Sequence, residues 1–111
     1  MAYVPDAGDI VWLQFDPQSG HEQAGYRPAL VLSPKAYNGI TNLMICCQMT
    51  TKGKGYRFEV ETKFEGSFGY ILSDQVKSVD WVARQAKKKG TASDETMRQV
   101  RGRVKALLGL S

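Results

Sequence analysis

Short apolar runs punctuated by turn residues fill the first eighty-odd positions, and a helical stripe closes the chain. Ile10-Val11-Trp12-Leu13-Gln14-Phe15 follows Gly8-Asp9 and ends at the turn pair Asp16-Pro17, which predicts a first strand. Residues 16–27 are polar, carry Gly20 and Gly25, and read as a long loop. Pro28 to Ser33 is almost continuously apolar, as a strand buried on both faces would be; Pro34 stops it and Asn38-Gly39 marks a turn. Leu43 to Met49 is a third strand, followed by the Gly-punctuated loop 50–55. From Tyr56 to Glu61 the pattern alternates, with Tyr56, Phe58 and Val60 on one face of a half-exposed fourth strand. Phe68 to Leu72 and Val79 to Ala86 read as the fifth and sixth strands.

One helix is expected. Ser93 is placed to cap it, and Asp94 and Glu95 stand in the first turn, where the helix dipole favours acids. Met97, Val100, Val104, Leu107 and Leu108 then form an apolar stripe of helical period, for core or dimer packing, and Gly109 ends the helix. Six short strands and one terminal helix define a mainly β, α+β chain: a small, strongly bent antiparallel barrel with a C-terminal amphipathic helix.

At 111 residues, 42% of them hydrophobic and 23% charged, the chain is expected to be one folded domain over residues 1–111. No apolar run approaches a membrane span and no signal peptide is visible, so the chain is assigned to the cytoplasm. Charge is distributed unevenly. Residues 1–51 hold two basic side chains, Arg27 and Lys35, and four acidic ones, whereas residues 52–111 hold 13 basic and seven acidic. A half with net charge +6 suits a polyanion such as nucleic acid, although Lys87-Lys88-Lys89 by itself reads first as a solvated turn and only second as a non-specific RNA attractor. Cys46 and Cys47 are adjacent and would face opposite sides of a strand, so they read as packing thiols in a reducing compartment. With His21 as the single histidine, no CxxC unit and no DxD cluster, neither a metal site nor a cofactor is expected.

Two stretches are more specific. GDIVWLQFDP (residues 8–17) and GHEQAGYRPALVLS (residues 20–33) closely resemble the MazF, or PemK/Kid, family of toxin endoribonucleases, and MTTKGKGYRFEV (49–60) and SDQVKSVDW (73–81) extend the likeness over nearly the whole chain. The resemblance implies an SH3-like barrel of about six to seven strands, a homodimer, and sequence-specific, metal-independent cleavage of single-stranded mRNA that inhibits translation and growth. It also implies a cognate MazE-like antitoxin with an acidic tail over the RNA groove, and contact with DNA only through that antitoxin.

Metal-free RNA cleavage uses the ribose 2′-hydroxyl as nucleophile. It needs a proton acceptor, a stabiliser of phosphoryl charge and a donor for the 5′-oxygen, and it leaves 2′,3′-cyclic phosphate and 5′-OH ends. Arg27 suits charge stabilisation, because its rigid fork can bind two phosphoryl oxygens. Glu22 can accept the 2′-OH proton or orient Arg27, and its position alone does not separate the two roles. Thr50, by the resemblance, donates its hydroxyl to a phosphoryl oxygen. Phe15, Asp16, Pro17, His21 and Gln23 border or line the long loop as RNA-binding candidates, with Phe15 suited to stacking on a base or to packing in the core. Lys52 and Lys54 can hold phosphates, and Gln75 and Lys77 can read base edges. Two rivals remain: a CcdB-like module that binds DNA gyrase without cutting, and an inactive regulatory homologue. Neither requires Glu22, Arg27 and Thr50 together.

Overall fold

Backbone hydrogen bonding gathers all the strands into one antiparallel sheet. The structure, a computed structural model, describes residues 2–15, 25–64 and 66–110. Its elements in chain order are β1 (Asp9–Phe15), β2 (Gly25–Val31), α1 (Lys35–Thr41), β3 (Leu43–Thr50), β4 (Glu59–Phe64), β5 (Ser67–Asp80), β6 (Lys87–Thr91) and α2 (Asp94–Leu107). The six strands run in the order β4-β5-β3-β2-β1-β6, curled into a half-barrel with α2 against it. The mainly β fold with a terminal helix is as expected.

The sheet is buried on both sides, which explains the unbroken apolar run in β2. On the helix side Ile10, Leu30, Cys47, Met49, Val60 and Ile71 pack under Met97 and Val100 of α2. On the opposite side Val11, Leu13, Ala29, Val31, Met44, Cys46 and Val79 pack together, with Tyr3 and Trp81 against them. Cys46 and Cys47 therefore belong to different cores, both fully buried and unbridged. Burial pushes the Cys46 thiol up to about 11, against the opposing charges of Lys77 and Arg84, and Cys47 up to about 12.

The helix α2 begins as its sequence demands: the Ser93 hydroxyl accepts the Thr96 N–H at 3.1 Å, and Asp94 and Glu95 occupy the first turn. Only the first half of its stripe is buried. Met97 and Val100 are covered, whereas Leu107 and Leu108 are exposed.

Four local expectations are corrected. The long loop ends earlier than expected, because Gly25, Tyr26 and Arg27 already pair with Phe15, Gln14 and Leu13. Pro28 is tolerated inside β2 because pairing with β3 starts only at Ala29, so its missing N–H breaks no bond on that side. Asn38-Gly39 is not a turn but lies within α1, where Asn38 is fully buried. Its side chain accepts the Ser33 hydroxyl (2.6 Å) and donates to the carbonyls of Pro5 (2.8 Å) and Ser33 (3.0 Å), and its own carbonyl takes the Trp81 indole N–H (2.9 Å). The fourth strand starts at Glu59 rather than Tyr56. The proposed sixth strand at 79–86 is instead the end of β5 and a turn over residues 81–85, and the true sixth strand is the lysine run, Lys87–Thr91.

Candidate active site

Alternation along β2 and β3 decides which side chains can act together. Arg27 is exposed and shares its side of the sheet with Ala29, which pairs with Gln48, and Thr50 lies two residues beyond Gln48 on the same side. Arg27 and Thr50 thus lie on one side of neighbouring strands, each two residues beyond the last paired positions, Ala29 and Gln48. Both point away from α2. The sheet is open here because β2 and β3 cease to pair below Ala29, and the second core on this face reaches as far as Leu13, the cross-strand partner of Arg27.

Lys77 stands opposite Cys46 and so projects from the same face, and Gln75, two residues earlier, is exposed beside it. A register shift separates this part of β5 from its first half, where Tyr70 pairs with Thr50 and Ile71 with Met49. The shift lets one 14-residue strand follow the curl of the sheet. Thr50 is half-buried, and its hydroxyl oxygen accepts the Lys52 N–H at 3.2 Å, which leaves its O–H to donate outward.

Lys52 and Lys54 are exposed in the segment between β3 and β4, and that segment is pinned. The Glu59 carboxylate accepts the Lys54 N–H at 3.0 and 2.8 Å and the Gly55 N–H at 2.9 Å. Gly53 lies on the ring of Tyr70: a Cβ there would come within 2.8–2.9 Å of the ring carbons, so any larger residue must displace the ring or the loop. Tyr56 donates its hydroxyl to Asp74 at 2.7 Å, and this bond raises its own ionisation to about 12.

Of the residues singled out from sequence, the fold brings Arg27, Thr50, Gln75 and Lys77 to one face, with Lys52 and Lys54 on a pinned loop at its end. Asp16, Pro17, His21, Glu22, Gln23 and the Phe15 side chain lie outside the described residues. Sequence reasoning missed Gln48, Glu59 and Tyr70. Gln48 did carry a signal, as the one polar residue in the run Leu43–Met49 apart from its cysteines; Glu59 and Tyr70 carried none, because each acts through a backbone it reaches only in the fold. Among the described residues no group of three or more His, Cys, Asp or Glu is placed to hold a metal ion, and no helix is long and apolar enough to cross a membrane.

An antiparallel half-barrel closed by a C-terminal helix, with an arginine and a threonine on its open face, is the architecture of a bacterial toxin class. The chain belongs to the family of PemK-like, MazF-like toxins of type II toxin–antitoxin systems, which it matches over residues 6–108. It is 49% identical over 107 residues to the endoribonuclease toxin MazF of Escherichia coli (strain K12), covering 96% of each chain. It is 37% identical over 109 residues to the endoribonuclease toxin ChpB of the same strain, covering 93% of each. In three dimensions it matches a crystal structure of MazE-MazF from Deinococcus radiodurans with a TM-score of 0.92 and 51% identity, over 99% of this chain and 100% of that one.

Proposed function

We propose that this toxin is a sequence-specific endoribonuclease that cuts single-stranded mRNA without a metal ion and so arrests translation. The observation that carries this is the placement of Arg27 and Thr50 on the same face of the neighbouring strands β2 and β3, with Lys77 further along that face. The RNA 2′-oxygen attacks the adjacent phosphorus, the bond from phosphorus to the 5′-oxygen breaks, and a proton passes to that oxygen. The products are a 2′,3′-cyclic phosphate and a 5′-hydroxyl end. The Arg27 guanidinium and the Thr50 hydroxyl hold the phosphoryl oxygens as charge builds on them. Glu22, five residues before Arg27, serves this pair by taking the 2′-OH proton or by orienting the guanidinium.

Lys52, Lys54 and Lys77 hold neighbouring phosphates. Gln75 and Gln23 read base edges, and Phe15, Asp16, Pro17 and His21 bind the splayed bases. The chain works as one domain in a homodimer, for which the exposed Leu107, Leu108 and Leu110 offer apolar surface. Its partner is a cognate antitoxin; the likeness to the crystal structure of MazE-MazF from Deinococcus radiodurans supports this. Buried reduced cysteines suit the cytoplasm, and DNA is met only through the antitoxin.

The test is direct. Antitoxin-free protein is incubated in EDTA with mixed-sequence RNA and with the matching DNA, alongside an Arg27→Ala variant. Restricted RNA cuts ending in cyclic phosphate, absent on DNA and slowed about 10²–10³-fold in the variant, are expected. Full cleavage by an Arg27→Ala protein of unchanged unfolding midpoint sinks the assignment. No cutting by folded wild-type protein transfers it to the gyrase-binding or regulatory rival.

A further inference from the structure

The helix side of the sheet carries a second feature, which the reaction at Arg27 does not use. Helix α2 covers Ile10 and Leu30, but β1 and β2 continue past it. There Trp12 pairs with Pro28 and with Lys87, and Tyr26 pairs with Gln14, all on the helix side. Trp12, Tyr26, Lys87 and Lys89 line a cleft of about 370 Å³. The Lys87 ammonium lies 5.3 Å from the centre of the Tyr26 ring, and Lys87 and Lys89 are exposed on the edge strand β6. A lysine-rich edge deters strand-on-strand aggregation, but that role needs no aromatic cleft beside it.

We infer that this cleft is a second RNA-binding site, which stacks one or two unpaired bases on Trp12 and Tyr26 and holds their phosphates on Lys87 and Lys89. Aromatic faces flanked by cations are how proteins hold single strands with little sequence preference. Tyr26 and Arg27 are consecutive in β2 and project to opposite sides, so the cleft lies one strand's thickness from Arg27, within the reach of RNA that flanks the cut. The same rings and charges would also suit an acidic peptide, but that alternative makes no use of this nearness to Arg27. The inference rests on the nuclease reading, and it adds to it a site for RNA flanking the cut.

The probes are two 2′-O-methyl RNAs built around the mapped cut, one spanning the cut alone and one extended on both sides, with binding measured across a salt series. The extended probe should bind wild-type toxin about tenfold tighter than the short one, as one stacked base is worth ~1–3 kcal/mol. Tyr26→Ala should abolish that gain. Lys87→Gln with Lys89→Gln should abolish it too and flatten the salt slope for the extended probe by about 1.4, about 0.7 per lost phosphate contact. With the lysine variant, short-probe affinity and cleavage of a short substrate should stay at wild-type values. Equal binding of both probes by wild type, or equal weakening of both by the lysine variant, overturns the inference while leaving the nuclease reading intact. Variants that bind the extended probe normally but lose an acidic peptide would assign the cleft to the antitoxin instead. A wild-type toxin that cuts no RNA removes both readings.

Discussion

Glu59 does its work through the backbone of another segment, so its removal should have a distinctive kinetic signature. Its carboxylate holds the N–H groups of Lys54 and Gly55 in three contacts of 2.8–3.0 Å. Bonds to a charged acceptor are worth about 1.5–3 kcal/mol when shielded, and exposure here brings each donor to about 1 kcal/mol. Glu59→Ala therefore gives up about 2 kcal/mol of order in the loop that carries Lys52 and Lys54, a factor of about thirty in the ratio of ordered to open loop. Arg27 and Thr50 lie on strands that Glu59 does not touch. Steady-state cleavage should show KM raised about ten- to thirtyfold with kcat within about twofold, and Glu59→Gln should fall between the two proteins. In a Lys52→Gln, Lys54→Gln background the same Glu59→Ala change should add less than about twofold, because the groups it positions are gone. A fall in kcat at constant KM, or full multiplication of the effects in the triple variant, would refute the reasoning.

Further outcomes follow from particular contacts. Gly53→Ala forces the loop off the Tyr70 ring and should raise KM, and pairing it with Tyr70→Ala should restore part of the loss, as read in the same cleavage assay. Asn38→Ala removes three buried hydrogen bonds and should cost about 3–4 kcal/mol in urea unfolding; a loss under about 1 kcal/mol would show that the network is dispensable. Both thiols ionise later in the folded chain, near 11 for Cys46 and 12 for Cys47, than the usual value of 9.0. Their contribution to stability is therefore complete below about pH 9 and is lost as pH rises toward 11–12, at up to about 1.4 kcal/mol per pH unit for each thiol. Replacing both cysteines with alanine should flatten that part of the pH–stability curve, and a curve unchanged by the replacement would count against thiol linkage.

Where local physics agreed with the fold, the elements could be read from the chain. The α2 cap, acidic first turn and apolar stripe are all short-range features of one helix. The strands β1 and β3, and the two-sided burial of β2, follow from apolar runs that can be satisfied only inside a sheet. The errors fall where tertiary contacts override local preference. Asn38-Gly39 has the composition of a turn, but four hydrogen bonds with Pro5, Ser33 and Trp81 hold Asn38 inside a helix, and those partners are as many as 43 residues away. Lys87-Lys88-Lys89 looks like solvated turn because nothing in its sequence says that β1 needs an edge partner; pairing with Asp9–Trp12, and the 3.4 Å ion pair from Lys88 to the buried Asp9, make it a strand.

Residue types by themselves determined what chemistry this protein has to offer: a guanidinium, a hydroxyl and a carboxylate without a metal-binding set, on a chain whose second half is basic. They also determined that Cys46 and Cys47 must face opposite ways, since alternation is a property of the strand backbone alone. Which groups act together was decided by the sheet. Arg27 and Thr50 are 23 positions apart in the chain and share one face because β2 and β3 pair in one register, and a shift of one residue would turn one of them to the helix side. Alternation along β2 puts Tyr26 and its neighbour Arg27 on opposite faces of that sheet. Register is set by the long-range fit of two apolar cores, and no local stretch of sequence carries that information.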